Sequence, residues 1–154
     1  MTRADASTVS GMRPDFTSIP ITSLIPQRPP MVLVDALVHC EYAYAESRFT
    51  VPMEGVFVAG GALTASGLVE NMAQTTAARI GYLALYGPQA DGKVRIGVIG
   101  SIKQLSVSKL PAVGSLLQTR VDLVEEWGDM ILAKADVQVE GESCASCEML
   151  VSLI

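Results

Sequence analysis

Gly67-Leu-Val-Glu-Asn-Met-Ala-Gln-Thr-Thr-Ala-Ala-Arg-Ile-Gly81 decides the fold. Alanine and straight-chain residues favour helix, and Leu68, Met72, Ala73, Ala77 and Ala78 all suit one. The apolar positions continue through Ile80, Leu83 and Leu85 until Gly87-Pro88 stops the element. The spacing predicts a helix over residues 64–86. A helix apolar nearly all round belongs inside something. It carries one carboxylate, Glu70, and a glutamate is costly to bury without a partner. Glu70 is therefore solvated at an edge, hydrogen-bonded, or functional.

Outward from the helix the chain reads as strands. Residues 31–38 are an apolar run broken only by Asp35, which predicts a strand buried on both faces. Before it, Pro26-Gln-Arg-Pro-Pro30 forces extended or turn backbone, and residues 21–25 have room for one helical turn. Residues 42–51 read as a second strand, with Tyr44, Glu46, Arg48 and Thr50 on one face. A loop over 52–61 follows, its end loosened by Gly60 and Gly61. Beyond the helix come a long strand over 94–107 and a connection at 109–114. Two strands with alternating inner faces follow: Leu117, Thr119, Val121, Leu123, then Ile131, Ala133, Ala135, Val137. A last strand has Ala145, Cys147, Met149, Val151 and Leu153 inward. One helix and one sheet bury each other's apolar faces only if the sheet wraps the helix. The expected fold is α+β: a hot-dog fold, a curved antiparallel sheet around one long central helix. Residues 1–18 read as a polar, flexible N-terminal arm, and 19–154 as one domain.

Composition narrows the function. Nearly half of the 154 residues are apolar, enough for a sizeable core. The net charge of -5 argues against a nucleic-acid binder, and no basic cluster suits an anionic membrane surface. An acidic carrier protein would find only Arg13, Arg28, Lys103 and Lys109, scattered along the chain. The helix is too polar to span a membrane. Three cysteines and no signal-type segment read as a reducing, cytoplasmic setting. Cys144-Ala-Ser-Cys147 has the spacing of a redox or zinc pair, but it sits in a strand pattern without a second ligand pair. Residues three apart on a strand point to opposite faces. No cofactor or metal is called for. The only histidine, His39, reads as a strand-end residue.

The order of elements, with Leu24-Ile-Pro-Gln-Arg-Pro-Pro-Met-Val-Leu-Val-Asp35 and Val69-Glu-Asn-Met-Ala-Gln74, resembles the 3-hydroxyacyl-acyl carrier protein dehydratases. The Arg-Pro-Pro-Met form looks most like the smaller dehydratases of aryl-polyene pathways. The likeness runs from about residue 21 to the C-terminus. It implies a lyase of fatty acid or polyene-type biosynthesis that removes water from a 3-hydroxyacyl thioester on acyl carrier protein or coenzyme A. It also implies a site at a dimer interface. A base takes the weakly acidic α-proton, an acid protonates the leaving hydroxyl, and backbone N–H groups hold the thioester oxygen. Glu70 falls on the family's acid and Gln74 on the glutamine that steadies it. Ala65 falls where a glycine usually offers its N–H to the thioester. Gln27, Arg28, Gly60, Gly61 and Asn71 are the further residues expected to meet the substrate.

The sequence departs from the family in one respect that bears on chemistry. The loop before the helix, Glu54-Gly-Val-Phe-Val-Ala-Gly-Gly-Ala-Leu63, carries no histidine, and the early Pro-His-Arg is here Pro26-Gln-Arg28. Glutamine orients a hydroxyl but accepts no proton near neutral pH. Three readings follow: a dehydratase with Glu70 alone as acid and base, a hot-dog thioesterase in which Glu70 activates water, and a non-catalytic acyl-thioester-binding or partner subunit of a heteromeric dehydratase. At least a homodimer is expected, because a lone wrapped sheet leaves an edge exposed.

Overall fold

The computed structural model describes residues 15–154. One helix, α1 (Ala65–Tyr86), lies against a six-stranded antiparallel sheet. The strands are β1 (Ala36–Cys40), β2 (Tyr44–Thr50), β5 (Gly97–Val107), β6 (Leu116–Trp127), β7 (Met130–Val139) and β8 (Glu142–Leu153). They run in the order β1-β2-β6-β7-β8-β5. A small hairpin, β3 (Val58–Ala59) with β4 (Ala62–Leu63), stands outside that sheet in the loop leading to α1. The hot-dog arrangement expected from the sequence is the one seen.

The alternation read from sequence sets which face is buried. Ala45, Ser47 and Phe49 of β2 point inward while Tyr44, Glu46, Arg48 and Thr50 point away. Leu117, Val121, Ala133, Ala135, Val137, Met149 and Val151 close over Leu68, Met72 and Ile80 of the helix in the main core. Such burial yields about 25 cal/mol per Å² of apolar surface removed from water. A second cluster joins Leu24, Ile25, Leu37 and Cys40 to Ala78 and Tyr82, on the later turns of α1.

Two sequence expectations are corrected. The run over 31–38 is not one strand: β1 begins only at Ala36, and residues 31–35 are irregular. Leu33 and Val34 are buried as the run implies, but the backbone of Met31 and Leu33 bonds to side chains of α1 instead of to a neighbouring strand. Cys144 and Cys147 do not take opposite faces. The register of β8 against β7 shifts at Val137/Gln138, where Ala145 and Ser143 are the successive partners. The extra residue, Cys144, turns inward, so both thiols are buried and free.

Residues 15–18, assigned from sequence to the N-terminal arm, include a 3-10 turn (Phe16–Ser18) capped by Asp15. Phe16 packs on Tyr82 at 5.2 Å between ring centroids. The rest of the expected arm, with Arg13, lies outside the described residues.

Candidate functional site

Thr64 is the N-cap of α1, and its hydroxyl accepts from the N–H of Gly67 at 3.2 Å. The N–H groups of Ala65 and Ser66, in the exposed first turn, have no partner among the described residues. They sit where the helix dipole favours a negative or polarised oxygen. The loop is locked onto this turn. A Cβ at Gly67 would come within 2.6 Å of Leu63 Cδ1, so glycine is required for the approach. Gly60 and Gly61 form the exposed two-residue turn of the β3–β4 hairpin, with φ of 61° and 75°. The Gly61 carbonyl accepts from Val113 N–H at 2.9 Å, which ties the hairpin to the connection before β6.

Glu70 lies about 7 Å further along the helix axis and is half-buried. Its Oε2 accepts a hydrogen bond from Gln74 Nε2 at 3.0 Å. Among the described residues Oε1 has no hydrogen-bond partner. Gln74 is itself fixed. Nε2 also donates to the Met31 carbonyl at 2.8 Å, and Oε1 accepts from Leu33 N–H at 2.7 Å. Reversing that amide would set two donors against each other at Leu33, so the orientation is determined by its neighbours. Asn71 completes the clamp: Nδ2 donates to the Leu33 carbonyl at 2.7 Å, and Oδ1 accepts from the Thr119 hydroxyl of β6. Both helix amides thus grip one peptide segment, and one of them holds the acid.

The sequence-assigned residues divide accordingly. Glu70 and Gln74 are brought together. Asn71 is fully buried with both amide atoms engaged, so it acts on the Leu33 segment. Arg28 is turned back on its own loop, Nη1 donating to the carbonyls of Ile25, Pro26 and Gln27. Gln27 keeps a buried Oε1 without a hydrogen-bond partner among the described residues. Neither Arg28 nor Arg79 pairs with Glu70 within the chain; the ion pairs among the described residues are His39–Glu41, Arg95–Asp129 and Arg120–Asp122. Sequence reasoning missed Thr119 and the Met31 and Leu33 backbone as parts of the network. A threonine among the apolar inner positions of β6 was the available signal.

The histidine is elsewhere. His39 stacks on Tyr44 at 4.9 Å, contacts Glu41 Oε1 at 3.2 Å and meets Phe16, which in turn packs on Tyr82. The turn carrying Tyr82 lies about 18 Å along the axis from Glu70. No group of three or more potential metal ligands occurs among the described residues. Burial pushes the Cys147 thiol up to about 11 and the Cys144 thiol upward as well, so neither is a reactive thiolate near neutral pH. No helix among the described residues is long and apolar enough to cross a membrane.

Comparison with known proteins places this geometry. A family model described as ApeP-like, ApeP dehydratase, matches residues 19–152. Among solved structures, the chain is similar to one in the dehydratase heterocomplex ApeI:P from Xenorhabdus doucetiae. The TM-score is 0.78 at 18% identity, over 88% of this chain and 91% of that one. Cj0977, a sigma28-regulated virulence protein from Campylobacter jejuni, superposes with a TM-score of 0.67 at 14% identity, over 88% of this chain and 96% of that one. A hypothetical thioesterase from Streptococcus pneumoniae, solved with coenzyme A, gives 0.61 at 10% identity, over 77% and 84%. No curated protein sequence matches it.

Proposed function

The chain belongs to the ApeP-like dehydratase family, and from that premise we propose that it dehydrates 3-hydroxyacyl thioesters as one half of a heteromeric enzyme. The observation that carries the reading is the clamped acid: Glu70, one oxygen held by Gln74 at 3.0 Å and the other without a hydrogen-bond partner among the described residues, on a helix whose first turn offers spare N–H donors.

In this reading the thioester carbonyl points at the N–H groups of Ala65 and Ser66, which stabilise the enolate-like oxygen as the α-proton leaves. Glu70 delivers a proton to the departing C3 hydroxyl, and the products are water and the 2-enoyl thioester. The α-proton needs a base. The chain's only histidine is committed to the Phe16–Tyr44 cluster, so the base comes from a related, histidine-bearing subunit. The similar Xenorhabdus chain was solved in a dehydratase heterocomplex, which supports such a pairing. Gly60 and Gly61 lie on the hairpin packed beside the helix start, suited to guide the thioester arm.

The test is to assay the chain alone and co-purified with a histidine-bearing relative, on 3-hydroxyacyl thioesters of coenzyme A and of carrier protein, following enoyl absorbance. The pair turns over and the chain alone does not. Glu70→Gln in this chain lowers the pair's rate by about 10²-fold or more. A pair indifferent to Glu70→Gln removes this site from the reaction. Release of free thiol by the chain alone would assign it instead to the thioesterases.

A further inference from the structure

Arg79 has no role in the clamp around Glu70. It follows Glu70 by nine positions on α1, which puts it about 13 Å along the axis and on the opposite side of the helix. It is 3% exposed. Nε and Nη2 both donate to the Tyr42 carbonyl, at 3.2 and 2.6 Å, and the guanidinium carbon lies 5.4 Å from the Tyr42 ring centroid. Nη1 has no partner, and no carboxylate comes within 4.0 Å of the group, among the described residues. The Glu126 carboxylate, held on the Tyr42 hydroxyl, attracts this charge from a distance, but no carboxylate pairs with the guanidinium directly, and a desolvated cation without a direct partner is costly to keep.

That guanidinium lines a cavity of about 550 Å³ between the end of α1, the loop before β5 and the β6–β7 hairpin. Its wall is apolar, with Ile80, Leu83, Ala84, Ile131 and Leu153. Its mouth carries charges of both signs. Arg95 is held by Asp129 at 2.9 Å, and Glu126 accepts from the Tyr42 hydroxyl at 2.7 Å. Asp91 and Lys93 share a turn, Asp91 Oδ1 accepting from Lys93 N–H at 2.9 Å. The guanidinium therefore faces the cavity without a direct anionic partner, while the exposed carboxylates at the mouth repel a polyanion.

We propose that this cavity binds a small organic acid, its single carboxylate on Arg79 and its apolar body against Ile80, Leu83 and Ile131. The volume falls in the range of small-molecule sites, which combine apolar walls with a few placed polar groups. The carboxylate completes the hydrogen bonding of Nη1 and neutralises a desolvated cation, a charge-assisted pair of the strong kind. The site is separate from Glu70 and does not depend on the dehydratase reading.

Titration calorimetry of the full chain with sodium octanoate tests it. The expected result is one saturable site with Kd of about 1 mM or below. Octanamide, acetate and inorganic phosphate, which lack respectively the charge, the apolar body and the single charge, bind at least about tenfold more weakly. Arg79→Lys loses the planar fork and weakens octanoate about tenfold or more. Ala84→Leu fills the wall without touching the guanidinium and keeps the helix, so it decides the matter if Arg79→Lys does not fold; it too abolishes binding. Glu70→Gln leaves octanoate binding unchanged. Absence of saturable binding overturns the proposal. So does octanoate binding that survives Ala84→Leu, that Glu70→Gln abolishes, or that octanamide and phosphate match.

Discussion

Gln74 makes three hydrogen bonds from a fully buried amide, and each reports a different dependence. Two fix the 31–33 segment to the helix and one fixes the acid. Gln74→Met keeps the volume but strands the Leu33 N–H and the Met31 carbonyl. Unpaired buried groups cost about 1–3 kcal/mol each. The expected loss is about 2–4 kcal/mol in urea unfolding, with a lowered turnover in the assembled enzyme because Glu70 is no longer held. Asn71→Ala destabilises similarly and leaves Glu70 its Gln74 bond, so stability and activity separate between the two variants. The acid and its glutamine were legible in the sequence as neighbours one helical turn apart. Their anchors were not, because they are backbone atoms of a run whose composition reads as strand. Asn71 shows the converse: a polar residue beside an acid reads as a substrate ligand, and only the positions of Leu33 and Thr119 reveal that its amide is engaged. The buried thiols add a pH test. Burial raises Cys40 from 9.0 to about 12 and Cys147 from 9.0 to about 11. The unfolded chain thus releases protons that the folded chain retains once the pH passes 9.0. Their contribution to stability is complete below that pH and is lost as pH rises through 11 and 12. Urea midpoints of Cys40→Ala/Cys147→Ala should fall less steeply than those of the parent between about pH 8 and about pH 10.5.

At the scale of the element, α1 is held in place from both sides, and glycine makes one of those contacts possible. Gly81 faces the turn before Pro26, where a Cβ would run into the carbonyl oxygen of Leu24. Leu24 is 1% exposed and its own N–H is bonded to Ile21, so the turn has nowhere to retreat. Helix propensity alone says Gly81→Ala stabilises by about 1 kcal/mol. The backbone clash outweighs it, since forced overpacking costs about 1–3 kcal/mol and more against a fixed main chain. The melting temperature should therefore fall, whereas Gly55→Ala, whose Cβ would meet only Pro52 Cγ at 3.8 Å, should leave it nearly unchanged. Helix bounds and inward faces were legible because period and burial agree along α1, β2, β6 and β7, whereas the β3–β4 hairpin, two residues a strand, lies in a stretch that reads as loop. The start of β1 and the bulge at Cys144 were not. Both depend on where a hydrogen-bond partner stands, and side-chain pattern carries no record of that.

For the whole molecule the decisive feature is β5, one edge of the sheet. Its side chains are apolar on both faces, with Val98, Ile99, Ile102 and Leu105 each between 36% and 48% exposed. Two register shifts against β8 interrupt it, near Gly100 and near Gln104, whose φ is 54°. Bulges blunt an edge against indiscriminate pairing, but an apolar strand left bare is an aggregation hazard. In the proposed heteromer, pairing through β5 covers this edge. Sedimentation of this chain with a histidine-bearing relative should give one heteromeric boundary, and Ile102→Asp should split it into two while circular dichroism stays native. Dehydration by the mixture should disappear with the boundary, even though Ile102 touches none of the clamped groups around Glu70. Assembly unaffected by a charge in the middle of β5 would place the interface on another surface of the sheet.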